Sequence, residues 1–218
     1  NGRYYDSDLC WNDYQPGEQY QYSNINYLLL AYILENITKK SFNEYCKENI
    51  FLPLEMYNTS YHLKDLNIKN IANPYILSEN FGEKYSKLQH YSTYIFPAAD
   101  LRTSVSDLSH LLIAHMNGGK YKDKRILKEE TINLMHTSHT PNKTGTQYCL
   151  GWMIWELPNK EVYSGHIGAI WGYFTSIKVR NSDDVGFIYF MNRYPDDYVS
   201  AFAQLLIEKA LFRKGDLL

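Results

Sequence analysis

The chain has 218 residues, which at roughly 150 per domain fits one large domain or a domain with a smaller lobe. Hydrophobic residues make up 44% and charged residues 21%, which excludes a disordered or collagen-like chain. The net charge is −2, and no Lys/Arg run exceeds pairs such as Lys39-Lys40, so nothing points to nucleic acid as a partner.

Residues 1–21 are polar and aromatic, with Gln15-Pro16-Gly17-Glu18 as a turn signal, and predict a loop. A helix is expected from Ser23 or Asn24, with Ile25, Leu28, Leu29, Tyr32, Ile33 and Ile37 on one face. Ser41 to Glu44 is a capping-box pattern opening a second helix toward Ile50, and Pro53 ends it. Residues 57–100 show no sustained periodicity. A loop that long is uncommon unless it works, so it reads as a lid or wall of a binding cleft. Ser104 to Asp107 is a second capping box, followed by Leu108, Leu111, Leu112 and His115 on one helical face and closed by Gly118-Gly119. Leu127 to His136 reads as a fourth helix.

From Tyr148 the period changes. Tyr148 to Trp155 reads as one central strand, and Glu161 to Ser164 as a shorter one. Tyr173 to Arg180 alternates, and Val185 to Met191 is continuously apolar. Asn181-Ser182-Asp183-Asp184 makes a hairpin turn between them. The last helix opens at Asp196 or Asp197, with Val199, Phe202, Leu206 and Ala210 on its apolar face. Helices, then an antiparallel meander, then a helix make an α/β chain of the α+β type. A helical lobe over about 1–145 precedes a sheet and C-terminal helix over about 146–218.

Cys10, Cys46 and Cys149 form no C-x-x-C pair, so neither a zinc site, a redox pair nor a disulfide framework is expected. His136 and His139 have ligand-like spacing, but without a nearby Cys or carboxylate they read as a solvated helix end, and no metal is expected. The sequons at Asn36, Asn58 and Asn142 are what an Asn-rich chain produces by chance. No apolar run approaches the ~18 residues of a membrane span. The chain starts at Asn1 rather than Met, so a signal peptide could not be visible, and the compartment stays open.

Two short motifs remain after G-x-S-x-G, P-loop, G-x-G-x-x-G and H-E-x-x-H are searched for and not found. One is Tyr22-Ser23-Asn24 at the start of an apolar helix. The other is His166-Ile167-Gly168-Ala169-Ile170-Trp171-Gly172. Each alone has a structural explanation, as an N-cap and as a strand with turn glycines. Together, and in this order, they resemble the serine beta-lactamase and DD-peptidase superfamily, in particular its class C beta-lactamase group. Pro16-Gly17-Glu18-x-x-x-Tyr22-Ser23-Asn24-x-Asn26-Tyr27 resembles P-G-x-x-F-x-Y-S-N-x-x-Y. Phe51-Leu52-Pro53-Leu54-Glu55-Met56-Tyr57-Asn58-Thr59 resembles I-F-x-P-L-G-M-x-x-T. Leu101 to Leu108 resembles L-x-S-T-x-x-D-L, and His166-Ile167-Gly168 the H-x-G variant of the family's third motif.

The resemblance implies a three-layer α-β-α sandwich and acyl-enzyme chemistry on an amide, beta-lactam or ester, with a small-molecule or peptide substrate and no cofactor. Tyr22 would relay the proton of a serine nucleophile, and His166 would line the site. Asn24 would bind a substrate amide, with Gly168 beside it and the Ala169 N–H in the oxyanion hole. The family's nucleophile is Ser-x-x-Lys, and no Ser in this sequence has Lys three residues on. The expectation is therefore that these residues form the C-terminal portion of a longer hydrolase and are inactive alone. The alternative is a non-catalytic peptidoglycan- or peptide-binding module, suggested by the 21 Tyr. Missing strands would expose a sheet edge near 173–191. Self-association, or pairing with the absent N-terminal segment, is expected to cover it.

Overall fold

A computed structural model of the chain describes residues 11–78, 84–140, 147–156, 160–195 and 198–215. Cys10, the sequon at Asn142 and the expected helix start at Asp196 or Asp197 lie outside the described residues.

Helix α1 spans Asn24–Thr38, with Ser23 as its N-cap residue and Lys39 closing it in the left-handed region at φ 59°. The apolar stripe read from the sequence is largely exposed in this chain. Ile25, Leu29, Tyr32, Ile33 and Ile37 are exposed, and the buried residue is Ala31. Leu28-Leu29-Leu30-Ala31-Tyr32-Ile33-Leu34 is apolar all round, so periodicity alone selects no buried face.

Helix α2, Phe42–Cys46, carries the expected capping box. The Ser41 hydroxyl accepts from the Glu44 N–H, and the Glu44 carboxylate accepts from the Ser41 N–H. A wide turn over Lys47–Phe51 follows and Pro53 ends the run. Helix α3 is the short Phe96–Ala99. Helix α4, Val105–Met116, is capped by Ser104, whose hydroxyl accepts from the Asp107 N–H at 3.0 Å. The box is not reciprocal. Buried Asp107 turns its carboxylate instead to the Asn58 N–H at 2.7 Å and the Thr59 hydroxyl at 2.9 Å, which moors the 58–60 segment. Helix α5 is Glu129–Met135.

Residues 57–100 hold two single helical turns and a ribbon of β1, Tyr75–Leu77, with β2, Tyr85–Lys87. A smaller ribbon pairs β3, Lys120–Tyr121, with β4, Lys124–Arg125. The main sheet is an antiparallel meander of β5, Gln147–Tyr148, β6, Met153–Glu156, β7, Val162–Ile170, β8, Tyr173–Arg180, and β9, Val185–Met191. The expected strand Tyr148–Trp155 is thus two. Gly151 takes φ 80°, and the Cys149 N–H donates to the Trp152 carbonyl at 2.8 Å, folding the run into a tight hairpin. The expected short strand at Glu161 runs on to Ile170, so the His-x-Gly motif lies within β7 rather than after it.

Helix α6, Tyr198–Gly215, covers one face of the sheet, where Leu211 and Phe212 pack against Phe174, Phe187 and Tyr189. Leu112 and Met116 of α4 cover the other, against Trp152, Ile177, Val179 and Ile188. Burying Leu112 alone is worth about 2 kcal/mol. This is the expected three-layer arrangement. On the expected apolar face of α6, Leu206 and Ala210 are exposed, and the side chains of Val199 and Phe202 lie outside the described residues. The sheet offers Lys178 and Tyr189 to the helix, and Glu208 binds both, at 2.7 and 2.9 Å, so a polar residue sits on the packing face. Among the described residues β9 is an outer strand, paired only with β8.

Candidate active site

The two sequence motifs meet around a residue that neither contains. Tyr22 precedes α1, Asn24 is the first residue of α1, and His166, Gly168 and Ala169 lie on β7. The ring of Tyr148, on β5, has its centroid 5.6 Å from that of Tyr22 and 6.2 Å from that of His166, which it meets edge-on at 81°. Tyr20 stacks on Tyr148 at 4.7 Å and 21°. The structure thus brings Tyr22 and His166 to two sides of Tyr148. Asn24 is placed by the helix N-terminus, two residues beyond Tyr22 in the chain.

The electrostatics are those of a neutral, partly dry cluster. Burial pushes the Tyr148 and Tyr27 phenols up, so both stay protonated. Burial pushes His166 below its ordinary value, which favours the uncharged imidazole. Its Nδ1 lies 2.6 Å from the Ile167 carbonyl oxygen. A carbonyl can only accept, so Nδ1 carries the proton and Nε2 keeps a lone pair.

The strand edge beside this cluster is open. β6 pairs with β7 over Val162–Gly165 only, so among the described residues no strand covers His166–Ile170 on that side. The Asn181 N–H donates to the Val162 carbonyl at 2.9 Å, which shows that Val162 turns its polar groups toward β8. Facing alternates along an antiparallel ladder. Ala169 is an odd number of residues further on, so it turns its N–H and C=O away from β8, into the open edge. Ile167 has the same parity, which fits its carbonyl accepting from His166. Gly168 pairs with Thr175, and a Cβ there would come within 2.6 Å of the Thr175 hydroxyl oxygen. Close approach to Thr175 therefore requires glycine.

Ala72 and Tyr91 stand at the Ile170 end of this edge. Tyr91 donates its hydroxyl to the Trp171 carbonyl at 2.9 Å, and Tyr173 to the Ala72 carbonyl at 2.6 Å. Arg102 donates to the carbonyls of Tyr91 and Asp100.

His136 and His139 diverge. His136 Nε2 faces His115 Nδ1 at 3.2 Å, and His139 Nε2 faces the Leu134 carbonyl. Among the described residues no three His, Cys, Asp or Glu side chains converge as a metal site. Sequence reasoning missed Tyr148 and Tyr20. Tyr20 stands at the aromatic position of the P-G-x-x-F-x-Y-S-N pattern but was given no role, while Tyr148 falls in no motif and the tyrosine content names no individual residue.

A family model described as Beta-lactamase matches residues 8–210. Protein flp of Staphylococcus aureus is 29% identical over 180 residues, covering 82% of this chain and 34% of that protein. The octameric penicillin-binding protein homologue from Pyrococcus abyssi superposes with a TM-score of 0.72 at 25% identity, over 92% of this chain and 45% of that one. A D-stereospecific amidohydrolase from Streptomyces shares the fold, with a TM-score of 0.67 at 21% identity, over 83% of this chain and 52% of that one. The chain thus spans about a third of the length of the curated relative and about half that of the solved structures.

Proposed function

The chain belongs to the Beta-lactamase family, and on that premise we propose that it supplies the second and third motifs of a serine acyl-transfer site. The Ser-x-x-Lys nucleophile is then contributed by polypeptide outside these 218 residues. The serine oxygen attacks an amide, beta-lactam or ester carbonyl, the leaving group departs with a proton, and water releases the acyl group. Tyr22 relays the nucleophile's proton. Asn24 hydrogen-bonds the substrate amide. The Ala169 N–H is one oxyanion donor and the nucleophile's own N–H the other.

The carrying observation is the open edge of β7 from His166 to Ile170, with the Ala169 N–H turned into it beside the Tyr22 cluster. A neutral His166 with a free Nε2 lone pair suits accepting a hydrogen bond from the Tyr–Lys network better than pairing with a substrate carboxylate. We also infer that the exposed stripe of α1 and the outer edge of β9 are covered by association, with the upstream segment or with a second copy.

The test uses a fluorescent penicillin, nitrocefin and a p-nitrophenyl ester. The 218-residue chain alone is expected to give neither burst nor turnover. The product of the whole reading frame is expected to be acylated and to lose roughly 10²- to 10⁴-fold in rate on Tyr22→Phe. Burst acylation of the isolated chain would overturn the assignment of the nucleophile. A whole-frame product without Ser-x-x-Lys would overturn the hydrolase in favour of a binding module.

A further inference from the structure

We propose that Tyr148 is a positioning residue, a fixed wedge that sets the orientation of Tyr22 and His166 relative to each other. The proposal rests on the acyl-transfer reading for its purpose, but not for its geometry.

Three observations carry it. Among the described ring contacts, Tyr148 is the residue that touches both motif side chains, Tyr22 at 5.6 Å and His166 at 6.2 Å. Its own freedom is removed from two sides. Tyr20 lies flat on its face at 4.7 Å. Its backbone is moored as well: the Tyr148 carbonyl accepts from the His139 N–H at 2.9 Å, and the next residues form the tight hairpin through Gly151. That hairpin is in turn fastened to α5, because the Leu150 N–H donates to the Met135 carbonyl at 3.2 Å. The Tyr148 backbone is therefore held by the sheet and by the end of α5, while its ring is held by Tyr20 of the segment that also carries Tyr22.

The physical need for such a wedge is specific. Tyr22 lies in the 20–23 segment before α1, about half exposed, and its ring is not enclosed by a core. A proton relay works only when donor and acceptor stay within a few tenths of an ångström of their productive positions, and displacement by about 1 Å costs on the order of 100-fold. A rigid ring between Tyr22 and β7 supplies that constraint without contributing a charge. It also covers one side of the His166 imidazole, in keeping with the low affinity of that ring for a second proton.

The experiment reads the ring geometry directly, so that it succeeds or fails separately from the hydrolase reading. In the unaltered protein with labelled His and Tyr, proton cross-relaxation is expected from the Tyr148 ring to both the His166 imidazole and the Tyr22 ring. Its absence overturns the proposal. Two variants then separate positioning from mere packing. Tyr148→Phe keeps the ring and is expected to leave the His166 resonances and titration midpoint in place. Tyr148→Leu removes the ring and is expected to raise the His166 midpoint, as water reaches the imidazole. In the whole-frame product, Tyr148→Leu is expected to lower kcat on the order of 100-fold with little change in KM, and Tyr148→Phe to restore most of it. A folded Tyr148→Leu protein with an unmoved His166 midpoint overturns the wedge. If no form of the protein turns over substrate, the hydrolase reading falls while the His166 readout still decides the role of Tyr148.

Discussion

Acid should weaken this fold through one buried imidazole, His115. It lies on α4 with its Nδ1 3.2 Å from His136 Nε2, and the Trp152 ring sits 4.8 Å from the one ring and 4.4 Å from the other. One nitrogen of the pair must donate and the other accept, so at least one ring must be neutral and the contact is lost if both are protonated. Burial, and secondarily the neighbouring His136, lower His115 from 6.5 to about 4. A histidine depressed in the folded state keeps its full stabilising effect above pH 6.5. That contribution is lost as the pH falls from 6.5 to 4, because the unfolded chain takes up the proton first, and no more is lost below 4. At pH 4.5 the loss is about 2.5 kcal/mol, or roughly 5–10 °C in Tm for a chain of this size. The variant His115→Gln keeps a polar contact to His136 and cannot titrate. Thermal unfolding of both proteins at pH 7.5 and pH 4.5 gives a double difference from which carboxylates common to both cancel. The variant is expected to lose less on acidification by about 2 kcal/mol, whatever it costs at pH 7.5. Equal acid losses in the two proteins would refute the reasoning and show that His115 is protonated as readily folded as unfolded.

Gly168→Ala is expected to destabilise by about 1 kcal/mol in urea unfolding, since its Cβ meets the Thr175 hydroxyl at 2.6 Å. Adding Thr175→Ala should recover most of that loss, and no recovery would place the strain elsewhere. The association inferred for the α1 stripe and β9 edge predicts a mass above 25.6 kDa by light scattering of the isolated chain at high concentration. A monodisperse monomer counts against it.

Much of the architecture was legible from local chemistry. Strands β8 and β9 have the bounds read from the sequence, Tyr173–Arg180 and Val185–Met191. Alternation and an Asn-Ser-Asp-Asp turn are signals that a strand pair carries in its own residues. The Ser41–Glu44 cap likewise forms from residues one helical turn apart. The ordered motifs identified the family for a similar reason, because each is a short run whose chemistry needs neighbours in the chain.

What the sequence alone could not decide is whatever depends on phase or on distant neighbours. On the apolar faces read for α1 and α6, Ile25, Leu29, Ile33, Leu206 and Ala210 are exposed. An all-round apolar helix has no periodic phase, and Glu208 faces the sheet only because Lys178 and Tyr189 wait there. The open edge of β7 depends on where β6 stops pairing, at Gly165, which no property of β7 announces. The wedge residue was equally hidden. Tyr148 is one tyrosine among 21, and it touches Tyr22 and His166 only because the hairpin through Gly151 carries it to them. Short-range propensity and motif order thus determined the elements and the family. Packing between residues far apart in the chain determined which of those elements' surfaces form the site.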